Sequence, residues 1–386
     1  MTRVLNVLAF VAFSASLFMR AVDPVVPQIA LGLHVEPSTA ALLSSAFALP
    51  FALIQPLLGA LADIFNKVRL MLGCLAVLAA ATLAGALATN FQLLLMTRGL
   101  AGLAAGGLMP IIFAIIGDLV PINERQVAMA RILFAIMIGN LFGFISAGVI
   151  ADLLGWRAVL TGMAVLGFVI LAVGVQGLRG VGATDRRFTL ASIAGNYRAI
   201  FSNPLAKVCF GAVFVEAVFM YGIFPHMASL LRAGGELRAS IAGVVLGGFG
   251  VGGIIYSLRV AWLLARLGET WMMRIGGALM GLSIAFLAVR GPWPVDAVDF
   301  ALLGFGFFML HAVIQIYASE LAPAARGSAM SLHAFFYFLG QAAGPAIYSL
   351  GFATIGVTAI LVVGGVMLAA TGLICAHYLR RDAAAV

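Results

Sequence analysis

Apolar runs of about 20 residues recur along the whole chain, and this constrains its fold more than any other feature. At about 1.5 Å per residue, each run is long enough to cross a hydrocarbon core roughly 30 Å thick as a helix. Lipid supplies no hydrogen-bond partners, so each run must satisfy its own backbone N–H and C=O groups as a helix. Of 386 residues, 63% are apolar and only 9% are charged. That is too little charge to coat a soluble core of this size. No hydrophilic block is long enough for a separate soluble catalytic domain. Residues 4–22 follow Arg3 and mimic a signal peptide, but the apolar stretch is too long and no cleavage site leads into a polar mature domain. It is expected to be the first spanning helix.

The pattern predicts twelve helices, at 4–29, 39–62, 69–89, 91–117, 127–152, 157–178, 207–231, 239–264, 271–290, 295–318, 328–350 and 355–378. The longest polar stretch, 179–206, carries Arg179, Asp185, Arg186, Arg187 and Arg198 and separates two sets of six. The expected fold is an all-α membrane protein of two pseudo-symmetric six-helix bundles. Residues 1–178 form the first bundle, 179–206 a cytoplasmic linker and 207–386 the second. With the N-terminus inside, fifteen basic residues from Arg3 to Arg381 fall on the cytoplasmic side, and only Arg157, Arg232, Arg238 and Arg290 fall outside. The excess of positive charge belongs inside, so both termini are expected in the cytoplasm and the chain in a bacterial-type inner membrane. The net charge of +8 then reflects topology and anionic lipid rather than nucleic acid.

A repeat of 201 residues is visible by eye. Arg125, Ala128, Met129, Gly139, Gly143 and Gly155 recur as Arg326, Ala329, Met330, Gly340, Gly344 and Gly356. With a one-residue slip, Asp118-Leu-Val-Pro121 answers Glu320-Leu-Ala-Pro323. Two like-oriented halves imply a binding site between them near the midplane, with transport by rocking one half against the other.

Three segments carry further signals. Gly59-Ala-Leu-Ala-Asp63-Ile-Phe-Asn-Lys67-Val-Arg69 joins helices two and three. Helix four has Arg98-Gly-Leu-Ala-Gly102, and helix five has Gly139-x3-Gly143 and then Ala147-Gly148. Small residues of this kind let helices approach closely. In this order and at these positions, the segments resemble the major facilitator superfamily along essentially the whole chain, most of all its twelve-helix drug/proton antiporters. The resemblance implies that Asp63, Lys67 and Arg69 latch the cytoplasmic side, and the repeat-related Arg125 and Arg326 are candidates for the same gate. It also implies that Arg98 serves proton coupling and that the chain works as a monomer. Asn66 stands where the family usually has Gly, and Ile64 where it often has a base. Phe144 stands in place of the antiporter Pro, and Ala147 in place of a Gly. A Gly-Pro pair occurs instead at Gly344-Pro345.

Ionisable residues inside a membrane are expensive and mark function by default. Arg20 and Asp23 are three apart and share a face. Counting residues puts Asp23 roughly 28 Å from the inner boundary and Arg98 about 10 Å below the outer one. All three then lie in the outer half of the first bundle, as a structural ion pair, as a substrate or proton site, or at the outer rim. Glu216 lies roughly 15 Å deep with no nearby base in sequence, which makes it a candidate proton carrier or a packed, hydrogen-bonded acid. Among His226, His311 and His333, His311 is favoured because Gln315 follows it by four on the same face. Asn140 and Gln341 are related by the same offset of 201. They are candidates to line one cavity or to bond between helices. The aromatics at 305, 307, 308 and 335–338 are lipid-facing by default, although four in a row must point at least one inward.

No Gly-rich Lys–Ser/Thr loop, zinc-protease motif or paired catalytic motif occurs. The three cysteines, Cys74, Cys209 and Cys375, have the spacing of neither a metal site nor a disulfide framework. The expectation is a secondary transporter without cofactor, not an enzyme. Its partners are a small-molecule substrate, protons and lipid. Proton-coupled efflux of small amphipathic compounds leads, and uptake or facilitated diffusion of a metabolite, anionic in one version, stands as the alternative.

Overall fold

The computed structural model describes residues 2–64, 66–121, 124–179 and 190–379; the side chains at 57–64, 126 and 190–194 lie outside the description. Among the described residues there is no strand. Fourteen α-helices follow one another: α1 (Thr2–Arg20), α2 (Val26–Gly32), α3 (Pro37–Ile64), α4 (Lys67–Ala86), α5 (Phe91–Leu119), α6 (Arg125–Leu154), α7 (Trp156–Gly177), α8 (Leu190–Ser202), α9 (Leu205–Tyr221), α10 (Phe224–Ala233), α11 (Ala239–Phe286), α12 (Trp293–Ser319), α13 (Arg326–Thr354) and α14 (Val357–Tyr378). Ten spans among the described residues are long and apolar enough to cross a membrane. One of them runs from Ala239 to Val289 and contains a break at Gly268, where φ is 67° and ψ is 167°. α13 is not among the ten.

The chain divides into two compact units, Met1–Leu190 with Pro225–Val244, and Ala191–Phe224 with Val245–Val386. In the first, α1 packs along α6 and α7, α3 along α5, and α4 along α5 and α7. In the second, α9 packs along α13, α14 and α12.

The 201-residue repeat reappears as packing. A Cβ at Gly139 would strike the Phe13 carbonyl, and one at Gly340 the Phe214 carbonyl. A Cβ at Gly143 would strike the Leu17 carbonyl, and one at Gly344 that of Val218. Both the glycines and their partners are 201 apart. Gly155 and Gly356, at φ of 83° and 86°, make the same turn at the same offset, in a region of φ that favours glycine. α6 against α1 and α13 against α9 are therefore one packing solution used twice, with bare backbone forming each contact.

Two predicted helices are not continuous. The run predicted at 4–29 stops at Arg20, makes a short 3-10 turn over Asp23–Val25 and restarts as α2. Pro24 and Pro27 lack the N–H that a continuing helix would need there. The run predicted at 207–231 is likewise interrupted between Tyr221 and Phe224. Cys209 and Cys375 are buried, and Cys74 is half-buried.

Candidate functional site

The break after α1 places Asp23. Its Oδ1 accepts a hydrogen bond from Ser44 Oγ on α3 at 2.6 Å, and its Oδ2 lies 3.9 Å from Arg20 Nη1. Arg98 arrives from α5. Its Nη1 donates to the Phe18 carbonyl at 3.4 Å, and its guanidinium lies 4.4 Å from the centroid of the Phe47 ring. The quadrupole of an aromatic face attracts a cation. Arg98 Nε and Nη2 are buried without a hydrogen-bond partner. Asp23 and Arg98 feel each other's charge without forming an ion pair. Exposure is 8% for Arg20, 2% for Asp23 and 3% for Arg98, so none of the three is exposed, as the alternative of an outer-rim location would require. One acid and two bases thus share a buried pocket, with bare donors that cost desolvation energy.

The second unit holds a different cluster. Glu216 on α9 is wholly enclosed, and the sequence offered it no partner. The partner comes from 95 residues away: His311 Nδ1 lies 2.7 Å from Glu216 Oε2. Glu216 Oε1 has no hydrogen-bond partner. His311 stacks on Phe307 with centroids 4.6 Å apart and meets Tyr337 at 5.0 Å and His333 at 5.1 Å. His333 is buried, and its Nε2 has no partner. Phe307 and Tyr337, which default to lipid in the sequence, are therefore turned onto this cluster.

The other predicted residues are spread more widely. Gln315 is exposed and does not join His311 and Glu216. Asn140 is half-buried, and Gln341 is buried at 5%. Of the latch set, Lys67 pairs with Asp118 at the end of α5. Arg69 is exposed, its backbone N–H donating to Asn66 Oδ1, which caps α4. The Asp63 side chain lies outside the described residues. Arg125 folds back on the end of α5, donating to the carbonyls of Val120 and Gly117. Arg326, its repeat equivalent, pairs with Glu320 at 2.8 Å.

Sequence reasoning did not reach several polar partners. Ser44 and Phe47 carry no signal of their own beside an acid and a base on other helices. Asp296 and Asp299, both buried at the start of α12, sit three apart, and that spacing could have been read. Asp152, at the end of α6, accepts the backbone N–H groups of Ala239 and Ser240 at 2.8 Å each. It caps the start of α11, a role its place at a helix end did not reveal.

Known proteins supply the family. The profile of the Major Facilitator Superfamily matches residues 8–345 and, separately, 235–385. The chloramphenicol resistance protein of Streptomyces lividans is 28% identical over 355 residues, covering 88% of this chain and 86% of its own. An uncharacterized MFS-type transporter of Bacillus subtilis, YfhI, is 27% identical over 254 residues, which is 64% of each chain. Among solved structures, a POT family transporter in complex with 5-aminolevulinic acid superposes with a TM-score of 0.78 at 14% identity, covering 96% of this chain and 94% of its own. That degree of identity speaks for the fold alone. The chain belongs to the Major Facilitator Superfamily and is a multi-pass membrane transporter, not an enzyme.

Proposed function

We propose that this transporter exports small amphipathic compounds from the cytoplasm in exchange for protons, by alternating access. In this reading it has twelve spanning helices in two six-helix bundles, 1–178 and 207–386, joined by a cytoplasmic linker at 179–206. It sits in the inner membrane as a monomer with both termini inside. The break at Gly268 supports two spans within 239–289, and the packing contacts repeated at an offset of 201 support two like halves. The observation that carries proton coupling is the 2.7 Å contact of the wholly enclosed Glu216 with the half-buried His311. At that distance one proton must lie between the two groups, and the bare Oε1 leaves the acid able to change partner. Asp23, with Arg20 and Arg98, is the second proposed coupling site. Asn140, Gln315 and Gln341 are proposed to line the substrate path. The name of the Streptomyces lividans relative supports export of small amphipathic compounds.

The test is a proteoliposome assay with an imposed pH gradient. Glu216→Gln is expected to abolish gradient-driven export while substrate exchange across the membrane continues. Unchanged gradient-driven export in this variant overturns the reading.

The two bare nitrogens of Arg98, Nε and Nη2, favour a second reading, uptake of an anionic metabolite. A carboxylate or phosphate would satisfy both donors at once. A panel of cationic, neutral and anionic solutes separates the two readings by the sign of what moves.

A further inference from the structure

The Glu216 cluster contains one group more than a carboxyl–imidazole pair requires. His333 projects from α13 into edge contact with His311, buried at 3% and with a bare Nε2. The groups around it are few. α9 contributes Glu216, α12 contributes His311, and α13 itself contributes Tyr337. α14 contributes Cys375, within electrostatic reach of Glu216, and α8 contributes Tyr197, bonded to the nearby Ser331. Among the described residues no Lys, Arg or Asp is in contact with the three.

One acid and two imidazoles in one cluster are neutral overall when the acid is protonated and both rings are not. They are also neutral when the carboxylate faces a single imidazolium. Both states hold the same number of protons. Charge can therefore separate within the cluster without any proton leaving it.

We propose that His333 is the second proton station of this transporter, receiving the proton of Glu216 through His311. This deepens the proton-coupled reading above and rests on it. In the transfer, Glu216 Oε2 gives its proton to His311 Nδ1, and His311 releases the proton on its other ring nitrogen to His333. The carboxylic acid becomes a carboxylate, His311 returns to a neutral ring as the opposite tautomer, and His333 becomes an imidazolium. The carboxylate is then free to receive a cationic or hydrogen-bonding solute through its bare Oε1. The proton then leaves His333 for the cytoplasm as the solute binds, so that proton and solute do not cross together. Without His333 the proton of the enclosed Glu216 has no station through which to leave when the solute arrives, which breaks the coupling of the two fluxes.

The experiment compares full-length protein in proteoliposomes, using ethidium as the probe. Two rates are measured, export driven by a pH gradient and ethidium–ethidium exchange without one. His333→Gln is expected to lower the ratio of driven export to exchange on the order of tenfold or more, the scale of lost proton transfer by a positioned group. A Phe at this position would show the same loss, since neither side chain carries a proton. If Glu216→Gln lowers the ratio and His333→Gln does not, His333 only packs against His311 and this inference fails alone. If Glu216→Gln leaves the ratio unchanged, the proton-coupled reading fails and takes the inference with it.

A measurement on the unaltered protein covers the case in which the substitutions prevent folding or ethidium does not move. The chain has five histidines, so ring 15N spectra can be assigned. Two rings that hold one proton between them must titrate as a coupled pair, with shared steps about one pH unit or more apart. Independent single-step curves for His311 and His333 overturn the proposal.

Discussion

Arg98 is held by a carbonyl, an aromatic face and the field of an acid it does not touch. Its stability depends on Asp23 through space rather than through a bond. Asp23→Asn and Arg98→Gln are each expected to destabilise the folded protein, and the double variant to lose less than the sum. The expected coupling is about 0.5–3 kcal/mol, the range for groups sharing one network, since a lone buried charge is the costly state. Simple additivity in thermal unfolding of the purified protein would mean that the two residues do not share a site. Ser44→Ala should cost about 1 kcal/mol or more through loss of the 2.6 Å bond to Asp23. The spacing of Arg20 and Asp23 was legible because both lie on one chain segment. The partner of Glu216 was not, because depth along a helix says nothing of which neighbour it faces. Gln315 shows the limit of face arithmetic. Four residues rotate a side chain by about 40° and carry it about 6 Å along the axis, and that displacement takes it out of the pocket His311 occupies.

Helices in this protein meet through backbone, and the repeat makes that testable in pairs. Gly139→Leu and Gly340→Leu each place a side chain where a carbonyl now lies. Each should cost about 1–3 kcal/mol or more by overpacking, and the two losses should be similar because the contacts are equivalent. A large loss at one position and none at the other, in unfolding or in folded yield, would argue that the equivalence is superficial. Asp152→Ala removes the acceptor for two N–H groups at the start of α11 and should cost about 0.5–2 kcal/mol. On the loop between α10 and α11, the hydrogen-bonded Arg238 guanidinium holds Glu236 down to about 2. A depressed acid contributes its stability above its unfolded value and loses it only as pH falls toward its folded one. The transport pH profile between 5 and 8 should therefore be identical in Glu236→Gln, and a shifted profile there would contradict the assignment. The helix breaks at Ala21–Val22 and Gly222–Ile223 were not legible, since both lie inside unbroken apolar runs. Only Pro24 and Pro27 hinted at the first.

At the scale of the whole molecule, apolar run length and the 201-residue offset were enough to anticipate an all-helical membrane transporter. They predicted twelve spans, against ten candidate spans among the described residues. The gap predicted between 264 and 271 holds the break at Gly268, and the helix predicted at 328–350 is α13, which mixes His333 and Gln341 into its length. The proposed topology places the C-terminus inside, so a reporter fused after Val386 should be active only when it folds in the cytoplasm. Activity outside the membrane would overturn it. The three cysteines bear on how such questions can be asked. Two are shut away in helix contacts and the third is half-covered, and enclosed thiols of this kind react poorly with polar reagents. The native chain is thus almost silent to membrane-impermeant maleimides. A single cysteine introduced at a loop position would report which side of the membrane that loop faces, and how its accessibility changes during turnover, against a background of one slow native thiol.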